Sequence, residues 1–237
     1  MNNIGGAPPW GRIAMVEFAE QRLNMVESQV RPSDLTDRRI TAGMLEVARE
    51  VYLPANLQSV AYSDGELSLD GIKGAGIGRL VLAPRTIAQM LQLLELEAQD
   101  IVLLVGSGSG YEAALLSSIA QTVVGIEIDQ ALAKWSETAL QSQDVGNAAI
   151  VESPLELGYA GEGPYDAILI NGGVDDVPAG LLDQLKDNGR LVAIRRNGGL
   201  TRLVRWQRTG ELYAMTELSV ATAQVLPAFE HTASFVF

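Results

Sequence analysis

The chain has 237 residues, contains no cysteine and carries a formal net charge of −12 at pH 7. Its length suits one compact unit with a sizeable core, and the lack of cysteine excludes disulfides, thiolate catalysis and cysteine-based zinc sites. The negative charge argues against broad nucleic-acid binding, because neutralising phosphates requires a surplus of Lys and Arg. No apolar run approaches the roughly 20 residues of a membrane-spanning helix. We therefore expect a cytoplasmic protein with neither a membrane nor a nucleic acid as partner.

The first 85 residues predict helices followed by a glycine-rich loop. Helices are expected over residues 15–29 and 37–51, and the first should end before Pro32, because proline disfavours helical backbone in the residue that precedes it. Residues 63–80 contain five glycines and predict a loop or a short hairpin. The expected organisation is a flexible tail at 1–14, an N-terminal helical and glycine-rich extension at 15–85 and a main domain at 86–237, within one compact unit.

From about residue 86 onward, predicted strands and helices alternate. The predicted strands are 101–105, 123–126, 148–151, 167–170 and 190–194, and helices are predicted from about 86 and over 110–120, 130–140 and 180–185. Strands that alternate with helices require crossover connections, which produce a doubly wound, mostly parallel sheet. Residues 200–207, 212–220 and 231–237 are short and extended, and we expect them to close the sheet edge as antiparallel strands. The sequence therefore predicts an α/β, Rossmann-like fold.

The strongest chemical signal is a glycine-rich turn between the first strand and its helix. The strand runs into Gly106-Ser107-Gly108-Ser109-Gly110-Tyr111, and the second strand ends at Glu127. Glycines let the backbone turn sharply and approach a ligand closely, and the helix N-terminus offers unpaired N–H groups. A solvated carboxylate at the tip of the second strand can accept hydrogen bonds from both hydroxyls of a ribose. This pattern predicts an adenosine-containing ligand.

The spacing of the glycines distinguishes between two classes of adenosine-containing ligand, dinucleotides and S-adenosylmethionine. A dinucleotide fingerprint is G-x-G-x-x-G, whereas this chain has G-x-G-x-G from Gly106 to Gly110, followed by Tyr111. That version is usual for S-adenosylmethionine. A dinucleotide such as NAD stays the alternative ligand, and a glycine-rich turn with a purely connecting role is the structural alternative.

Other classes of enzyme find little support. The G-x-S-x-G of a hydrolase is missing, because glycine occupies the middle of 106–110, and the only histidine, His231, is interpreted as a packing or surface residue. The phosphate-binding G-x-x-x-x-G-K-S/T does not occur, and no set of metal ligands is evident. A non-catalytic binding or regulatory protein remains the serious alternative from another class.

Over roughly Met25 to Arg195 the chain resembles the protein-L-isoaspartate O-methyltransferases. Matching segments before the loop are Met25-Val26, Gln29, Asp37, Met44, Val47-Ala48-Arg49-Glu50, Leu53-Pro54 and Ala61-Tyr62-Ser63-Asp64. Matching segments after Val105–Tyr111 are Tyr165-Asp166-Ala167-Ile168, Val177-Pro178, Leu182, Gln184-Leu185-Lys186 and Gly189-Arg190-Leu191-Val192. The resemblance implies the methyltransferase version of the Rossmann-like fold and methyl transfer from S-adenosylmethionine, which leaves S-adenosylhomocysteine. The implied acceptor is the carboxylate of an isoaspartyl residue in a damaged protein or peptide.

The resemblance also implies which residues form the site. The residues expected to contact the cofactor are Val105, Gly106, Ser107, Gly108, Ser109, Gly110, Tyr111, Glu127, Ile128, Ser153 and Asn171. The active-site loop is expected at 78–86.

This chain departs from the family's pattern around the acceptor. The family carries Thr-Ile-Ser-Gln-Pro before the helix, with the serine beside the acceptor carboxylate, and here Leu82 stands at that serine. Arg79 and Arg85 flank the altered loop and are the candidates to hold the carboxylate, with a plain surface role as the alternative. Glu152-Ser153-Pro154 replaces the usual Gly-Asp-Gly, and Asn171-Gly172-Gly173 replaces Thr-Ala-Ala. The altered positions leave open a catalytically degenerate member or one with a different acceptor.

A run of arginines lies late in the chain, between residues 190 and 208. We interpret it as a solvated strand face that balances acidic neighbours.

Overall fold

The computed structural model describes residues 9–76 and 78–230, without the side chains of residues 9–16 and Ala228. The α-helices are α1 (Pro9–Met25), α2 (Arg38–Glu46), α3 (Pro84–Leu94), α4 (Tyr111–Ser117), α5 (Gln130–Ser142) and α6 (Ala179–Leu182). The strands are β1 (Leu67–Ser68), β2 (Leu80–Val81), β3 (Ile101–Val105), β4 (Thr122–Glu127), β5 (Ala148–Glu152), β6 (Tyr165–Val174), β7 (Leu185–Asn197), β8 (Leu200–Thr209) and β9 (Leu212–Val220).

The main sheet of the described chain has the order β5-β4-β3-β6-β7-β8-β9. The first five strands in this order, from β5 through β4, β3 and β6 to β7, are parallel. Strands β8 and β9 extend the sheet with antiparallel pairing. Helices cover both faces of the parallel part, which explains why β3 is a continuous apolar run, Ile101–Val105, rather than an alternating one. The predicted α/β, Rossmann-like fold is confirmed, including the antiparallel strands at the edge.

The N-terminal region is more helical than the sequence predicts. Helix α1 begins at Pro9, so the predicted tail is wrong for residues 9–14, while residues 1–8 lie outside the described part. The chain stays helical through a wide turn at Val26–Val30 and a tight turn at Arg31–Ser33, and it leaves the helix at Asp34, whose φ is +58°. The helix predicted at residues 15–29 does end at Val30, but the reason given for its end is wrong. Arg31, which precedes Pro32, keeps helical backbone with φ −59° and ψ −39°, because proline is tolerated in the first turn of a helical segment.

The second predicted helix is shorter than expected. Asp37 caps α2, since its side chain accepts a hydrogen bond from the backbone N–H of Arg39. The helix ends at Glu46 rather than at residue 51, and a separate short turn follows at Arg49–Tyr52. Helix α6 is likewise shorter than the predicted 180–185, because Leu185 already belongs to β7.

Two apolar clusters lie on opposite faces of the sheet. One joins N-terminal residues such as Met25 and Met44 to α3, α4 and the strand residues Leu104 and Leu169. The other lies around Leu103 and contains the side chains that face α6 and the C-terminal residues 225–229. Because the N-terminal segment contributes directly to the first cluster, it is packed into the same core as the sheet.

Two segments cross the carboxyl ends of the parallel strands. Strands β1 and β2 pair antiparallel, which confirms the predicted short hairpin, and we call residues 67–76 and 78–83 the covering segment. The chain after β9 returns to β6, where Gly173 pairs with Val225. The predicted strand 231–237 and His231 lie outside the described residues.

Five of the six arginines between residues 190 and 208 pair with acidic neighbours, as predicted, whereas Arg208 donates to the carbonyl oxygens of Asp183, Leu185 and Gly210. The expected solvated face is wrong for most of them, because only Arg196 is exposed. The salt bridges are Arg190–Asp100 (2.8 Å), Arg195–Asp176 (3.9 Å), Arg196–Asp175 (2.7 Å), Arg202–Glu217 (3.6 Å) and Arg205–Glu95 (2.8 Å). In the part of the chain that the structure describes, no helix has both the length and the apolar character to cross a membrane.

Candidate cofactor site

The glycine loop, residues 106–110, has a backbone that only glycine adopts easily. The φ angles of Gly106, Gly108 and Gly110 are +80°, +54° and +90°, in the left-handed region. A Cβ on Gly110 would lie 3.1 Å from the Cα of Ser136, which is backbone and cannot rotate away. The hydroxyl of Ser136 donates to the carbonyl of Gly108 at 2.7 Å, so α5 holds the loop from below. The loop is therefore fixed in shape before any ligand arrives.

Glu127 ends β4 and points its carboxylate at this loop. Its side chain is fully buried, and its Oε2 accepts a hydrogen bond from the backbone N–H of Gly108 at 2.9 Å. Oε1 accepts from the backbone N–H groups of Ile128 and Asp129 at 3.0 and 3.2 Å. The expectation of a solvated carboxylate at the strand tip is wrong, because the covering segment lies over it.

Arg79 occupies the remaining acceptor positions of Glu127. The guanidinium donates to both carboxylate oxygens, at 2.5 and 2.8 Å, and the arginine is only 6 % exposed. Such bidentate pairs are the strongest charge-assisted hydrogen bonds of proteins. The surface role weighed for Arg79 is therefore wrong. The ion pair joins the covering segment to the wall formed by the glycine loop and Glu127.

The other predicted cofactor residues line the ends of β3, β4, β5 and β6. Val105 is buried at the end of β3, and Ile128 is 47 % exposed immediately after Glu127. Ser153 is half-buried after β5; its backbone N–H donates to the carbonyl of Glu127 at 3.0 Å. Asn171, near the end of β6, donates from Nδ2 to the carbonyl of Gly106 at 3.2 Å. These residues lie at neighbouring strand ends around the glycine loop.

Tyr111 and the loop serines have different surroundings. The Tyr111 ring packs under the loop, 5.9 Å from the ring centroid of Tyr52, and the Arg49 guanidinium lies 5.1 Å from its centroid. Burial raises the pKa of Tyr111 to about 12. Ser109 accepts a long hydrogen bond of 3.4 Å from the Tyr111 backbone N–H. Tyr111 thus anchors α4 in the core, while the serines stay at the loop.

Several buried polar atoms near the loop have no hydrogen-bond partner among the described residues. They are the hydroxyls of Ser107 and Tyr111, Oδ1 of Asn171, both carboxylate oxygens of Glu112 and two guanidinium nitrogens of Arg49. Buried polar atoms are nearly always paired in folded proteins, so such atoms point to a ligand or water that completes them. Close by, burial raises the pKa of Glu112, although the Arg49 guanidinium and the Asn171 side chain oppose that rise.

The positions around the expected acceptor differ in exposure. Leu82 is 2 % exposed, and its backbone carbonyl accepts a hydrogen bond from Arg49 at 2.9 Å. Arg85 is exposed, and its guanidinium lies 3.9 Å from the carboxylate of Asp64, which is also exposed. Sequence reasoning did not single out Arg49 as a site residue. Its place within the block of residues 47–50 that matches the family was the available signal.

The groove above the glycine loop is filled by the protein's own side chains. A Cβ on Gly106 would lie 3.2 Å from the Arg79 guanidinium and 3.3 Å from Leu226. The cavity that remains between the covering segment and residues 224–227 measures about 10 Å³. Since ligand pockets measure about 300–1,000 Å³, a nucleoside enters only when Arg79 and its neighbours move.

The residues of the wall nevertheless fit an adenosine cofactor. Glu127 is the carboxylate that a ribose diol requires, and Ser107 and Asn171 offer the unpaired polar atoms. Ile128 provides an exposed apolar surface beside them that suits an adenine ring. Fold and site together define an α/β protein with the nucleoside groove of a methyltransferase, at the point where the order of parallel strands reverses.

Comparison with known proteins narrows this class to a family. The family model described as protein-L-isoaspartate(D-aspartate) O-methyltransferase matches residues 20–225. A protein-L-isoaspartate O-methyltransferase of Herpetosiphon aurantiacus is 37% identical over 202 residues, which cover 85% of this chain and 88% of that protein. One from Shewanella sediminis is 36% identical over 204 residues, covering 86% and 81%. The chain belongs to the protein-L-isoaspartate O-methyltransferase family.

Solved structures agree on the fold. A protein-L-isoaspartate O-methyltransferase superposes with a TM-score of 0.78 at 21% sequence identity, covering 88% of this chain and 67% of that one. A beta-aspartate methyltransferase from Plasmodium falciparum in complex with S-adenosyl-L-homocysteine gives 0.70 at 19% identity, covering 89% and 98%. Both similarities concern the architecture of the sheet and its helices.

Proposed function

We propose that this protein is an S-adenosylmethionine-dependent O-methyltransferase that acts on the carboxylate of isoaspartyl residues in proteins or peptides. Membership of the family and the names of its relatives support the reaction and the substrate. The observation that carries the proposal is the buried carboxylate of Glu127, held against the glycine loop by the Gly108 N–H. We also propose a cytoplasmic location, which suits a chain without cysteine.

The residues of the wall would hold the cofactor. The glycine loop gives close backbone approach, Glu127 accepts from the ribose hydroxyls, and Ile128 covers one face of the adenine. Ser153 and Asn171 flank the two ends of this groove. When bound, S-adenosylmethionine supplies an activated methyl group.

Methyl transfer to a carboxylate makes modest demands on the protein. The acceptor is already ionised at neutral pH, because carboxyl groups have pKa values near 4, so no general base is needed. The protein has to bring the two reactants together in line, and such positioning accounts for a large part of catalysis. A donor that fixes the acceptor carboxylate would serve this alignment.

Leu82 argues for weak activity. Its aliphatic side chain lies at the family's serine position and is buried, so it neither donates a hydrogen bond nor replaces lost hydration of an anion. Arg79, one of two candidate donors, already pairs with Glu127. A second candidate function therefore has a specific observation in its favour, namely a catalytically degenerate protein that binds the cofactor and regulates or binds another partner.

A methyl-transfer assay tests the proposal. We expect slow transfer of radiolabelled methyl groups to an isoaspartyl peptide and none to the same peptide with ordinary aspartate. The variant Leu80→Thr, Val81→Ile, Leu82→Ser, Ala83→Gln restores the family's loop and should be faster by about 10²–10³-fold, since one positioned donor is worth that much. Single Leu82→Ser serves as the control for the serine alone.

The outcomes separate the candidates. Transfer by neither protein, with folding intact, would favour the degenerate cofactor-binding protein. A natural protein as fast as a family member that carries the serine would mean that Leu82 is a tolerated substitution.

A further inference from the structure

We propose that Arg79 is a displaceable latch on the ribose subsite, so that the cofactor groove opens only when the Arg79–Glu127 pair separates. The inference rests on the proposed function, because it takes Glu127 as the acceptor for a nucleoside's vicinal hydroxyls. It adds a residue that sets cofactor affinity by competing for the same carboxylate.

Glu127 has no free acceptor position for a ribose while Arg79 is bound to it. A carboxylate accepts about four hydrogen bonds. Here its oxygens already receive both Arg79 nitrogens and the backbone N–H groups of Gly108, Ile128 and Asp129. The three backbone donors belong to the fixed wall. The ribose hydroxyls can therefore replace only Arg79.

Arg79 also occupies the space that a nucleoside would need. The Arg79 guanidinium lies over Gly106, where a Cβ would come within 3.2 Å of it. The same face of the loop is where a nucleoside would have to lie. Arg79 and the cofactor thus exclude each other by volume as well as by hydrogen bonding.

The tip of the covering segment can move without unfolding the core. Leu67, Leu69, Ile72, Val81 and Leu82 anchor the segment in the first apolar cluster, whereas residues 73–76 and 78 at the tip are exposed or half-buried. Gly74 and Gly78 have positive φ, and two hydrogen bonds hold the tip, from the Gly76 N–H to Asp129 and from the Gly78 N–H to Asp70. Exposed loops of this kind open at a fraction of the global free energy. Since Arg79 directly follows the tip, its side chain can leave Glu127 while the anchors stay in place.

Opening also returns a charge to water. A buried ion pair forms at a large desolvation cost for both partners, and a long arginine side chain that leaves the groove regains its hydration. Ribose hydroxyls then satisfy Glu127 in its place. The closed population lowers the apparent affinity for the cofactor in proportion to the open fraction.

Binding of S-adenosylhomocysteine to the full chain tests the latch by calorimetry. We expect Arg79→Gln to bind about 10- to 100-fold more tightly than the natural protein, a gain of about 1.4–2.8 kcal/mol. Arg79→Lys, which keeps the charge but loses the planar fork, should lie between them. Arg31→Gln is the matched control, because it removes an exposed arginine paired with Glu27 and should leave the dissociation constant unchanged.

Equal or weaker binding by folded Arg79→Gln would overturn the latch while leaving the cofactor assignment intact. Binding by none of the proteins at millimolar ligand would refute the proposed function, and the latch with it.

Hydrogen exchange without any ligand supplies an independent readout. Arg79→Gln should exchange the amides of residues 73–79 about tenfold faster than the natural protein, whereas α4 and α5 should stay unchanged. Unchanged exchange in the covering segment would contradict the proposal, because it would mean that the ion pair does not hold the segment down.

Discussion

The two walls of the cofactor groove use the same backbone conformation for different purposes. Gly110 in the glycine loop and Gly74 in the covering segment have φ angles of +90° and +89°. Around Gly110 the backbone of Ser136 leaves no room for a Cβ, whereas at Gly74 the only close atom is the Cβ of Ala131 at 3.6 Å, an ordinary contact. One glycine makes a packed, rigid wall and the other lets an open loop turn.

This difference explains how a family site can be retained while access to it changes. The glycine loop is held by neighbours on several elements, so its shape is set by the core. The covering segment is anchored in the core by Leu67, Leu69, Ile72, Val81 and Leu82, but its tip, residues 73–76 and 78, is exposed or half-buried. A single long side chain next to this tip can therefore decide whether the groove is open.

The greatest loss of stability should come from a substitution that disrupts the packing of the glycine loop. Gly110→Ala should lower the free energy of unfolding by about 2–5 kcal/mol, since the left-handed conformation costs about 1–2 and crowding against the Ser136 backbone adds about 1–3. Gly74→Ala is the matched control with the same φ and should cost only the conformational part. Urea unfolding at 25 °C measures both, and equal losses would mean that the loop is not packed as described.

The stability of Glu127→Gln distinguishes an Arg79 side chain that can leave the groove from one that stays locked in it. Glu127→Gln leaves Arg79 without its counter-charge, and a locked buried pair would then lose about 3–5 kcal/mol. If Arg79 withdraws into water instead, the loss should stop at about 1.5–3 kcal/mol, the value of a charged hydrogen bond. A double-mutant cycle with Arg79→Met, followed by urea unfolding, isolates the pair; additive single effects would show that the pair does not form in solution.

The smallest effect concerns the tether of the covering segment to Asp129. Burial opposes ionisation, but the backbone N–H groups of Gly76, Leu132 and Ala131 outweigh it and lower the pKa of Asp129 below its usual 3.8. Because the folded pKa is the lower one, this stabilisation is complete above about pH 4 and is lost as the pH falls through the folded pKa.

Asp129→Asn should therefore flatten the acid limb of the stability curve by about 0.5–1 kcal/mol, the size of a partly solvated cap. Thermal unfolding between pH 2.5 and 6 provides the comparison. Parallel curves for the two proteins would show that ionisation of Asp129 does not stabilise the fold.

Much of the wall formed by the glycine loop and Glu127 is predictable from the sequence, because apolar runs and glycine positions determine it locally. The strands appear in the sequence as apolar runs, and the predicted ends of β3, β4 and β5 agree within one residue; β4 finishes at Glu127. Strands β6 and β7 are longer than predicted, by up to four and five residues at one end. The left-handed glycines also follow from composition, because few other residues adopt that conformation at a strand-to-helix turn.

The covering segment is less predictable because its structure depends on distant partners. Arg79 and Glu127 are 48 residues apart, and no periodic pattern connects them. A sequence reveals an arginine near an altered loop and an acid at a strand tip, but burial and bidentate geometry arise only from the folded arrangement. The early start of α1 is missed for a different reason, because Gly and Pro near residue 9 obscure a helix locally.

A crystal structure of the complex with S-adenosylhomocysteine would show whether Arg79 leaves Glu127 when the cofactor binds. We expect both ribose hydroxyls within hydrogen-bond distance of the Glu127 carboxylate, the Gly108 N–H still bound to it, and the Arg79 guanidinium displaced towards solvent. A ligand bound elsewhere, with the Arg79–Glu127 pair intact, would contradict this expectation.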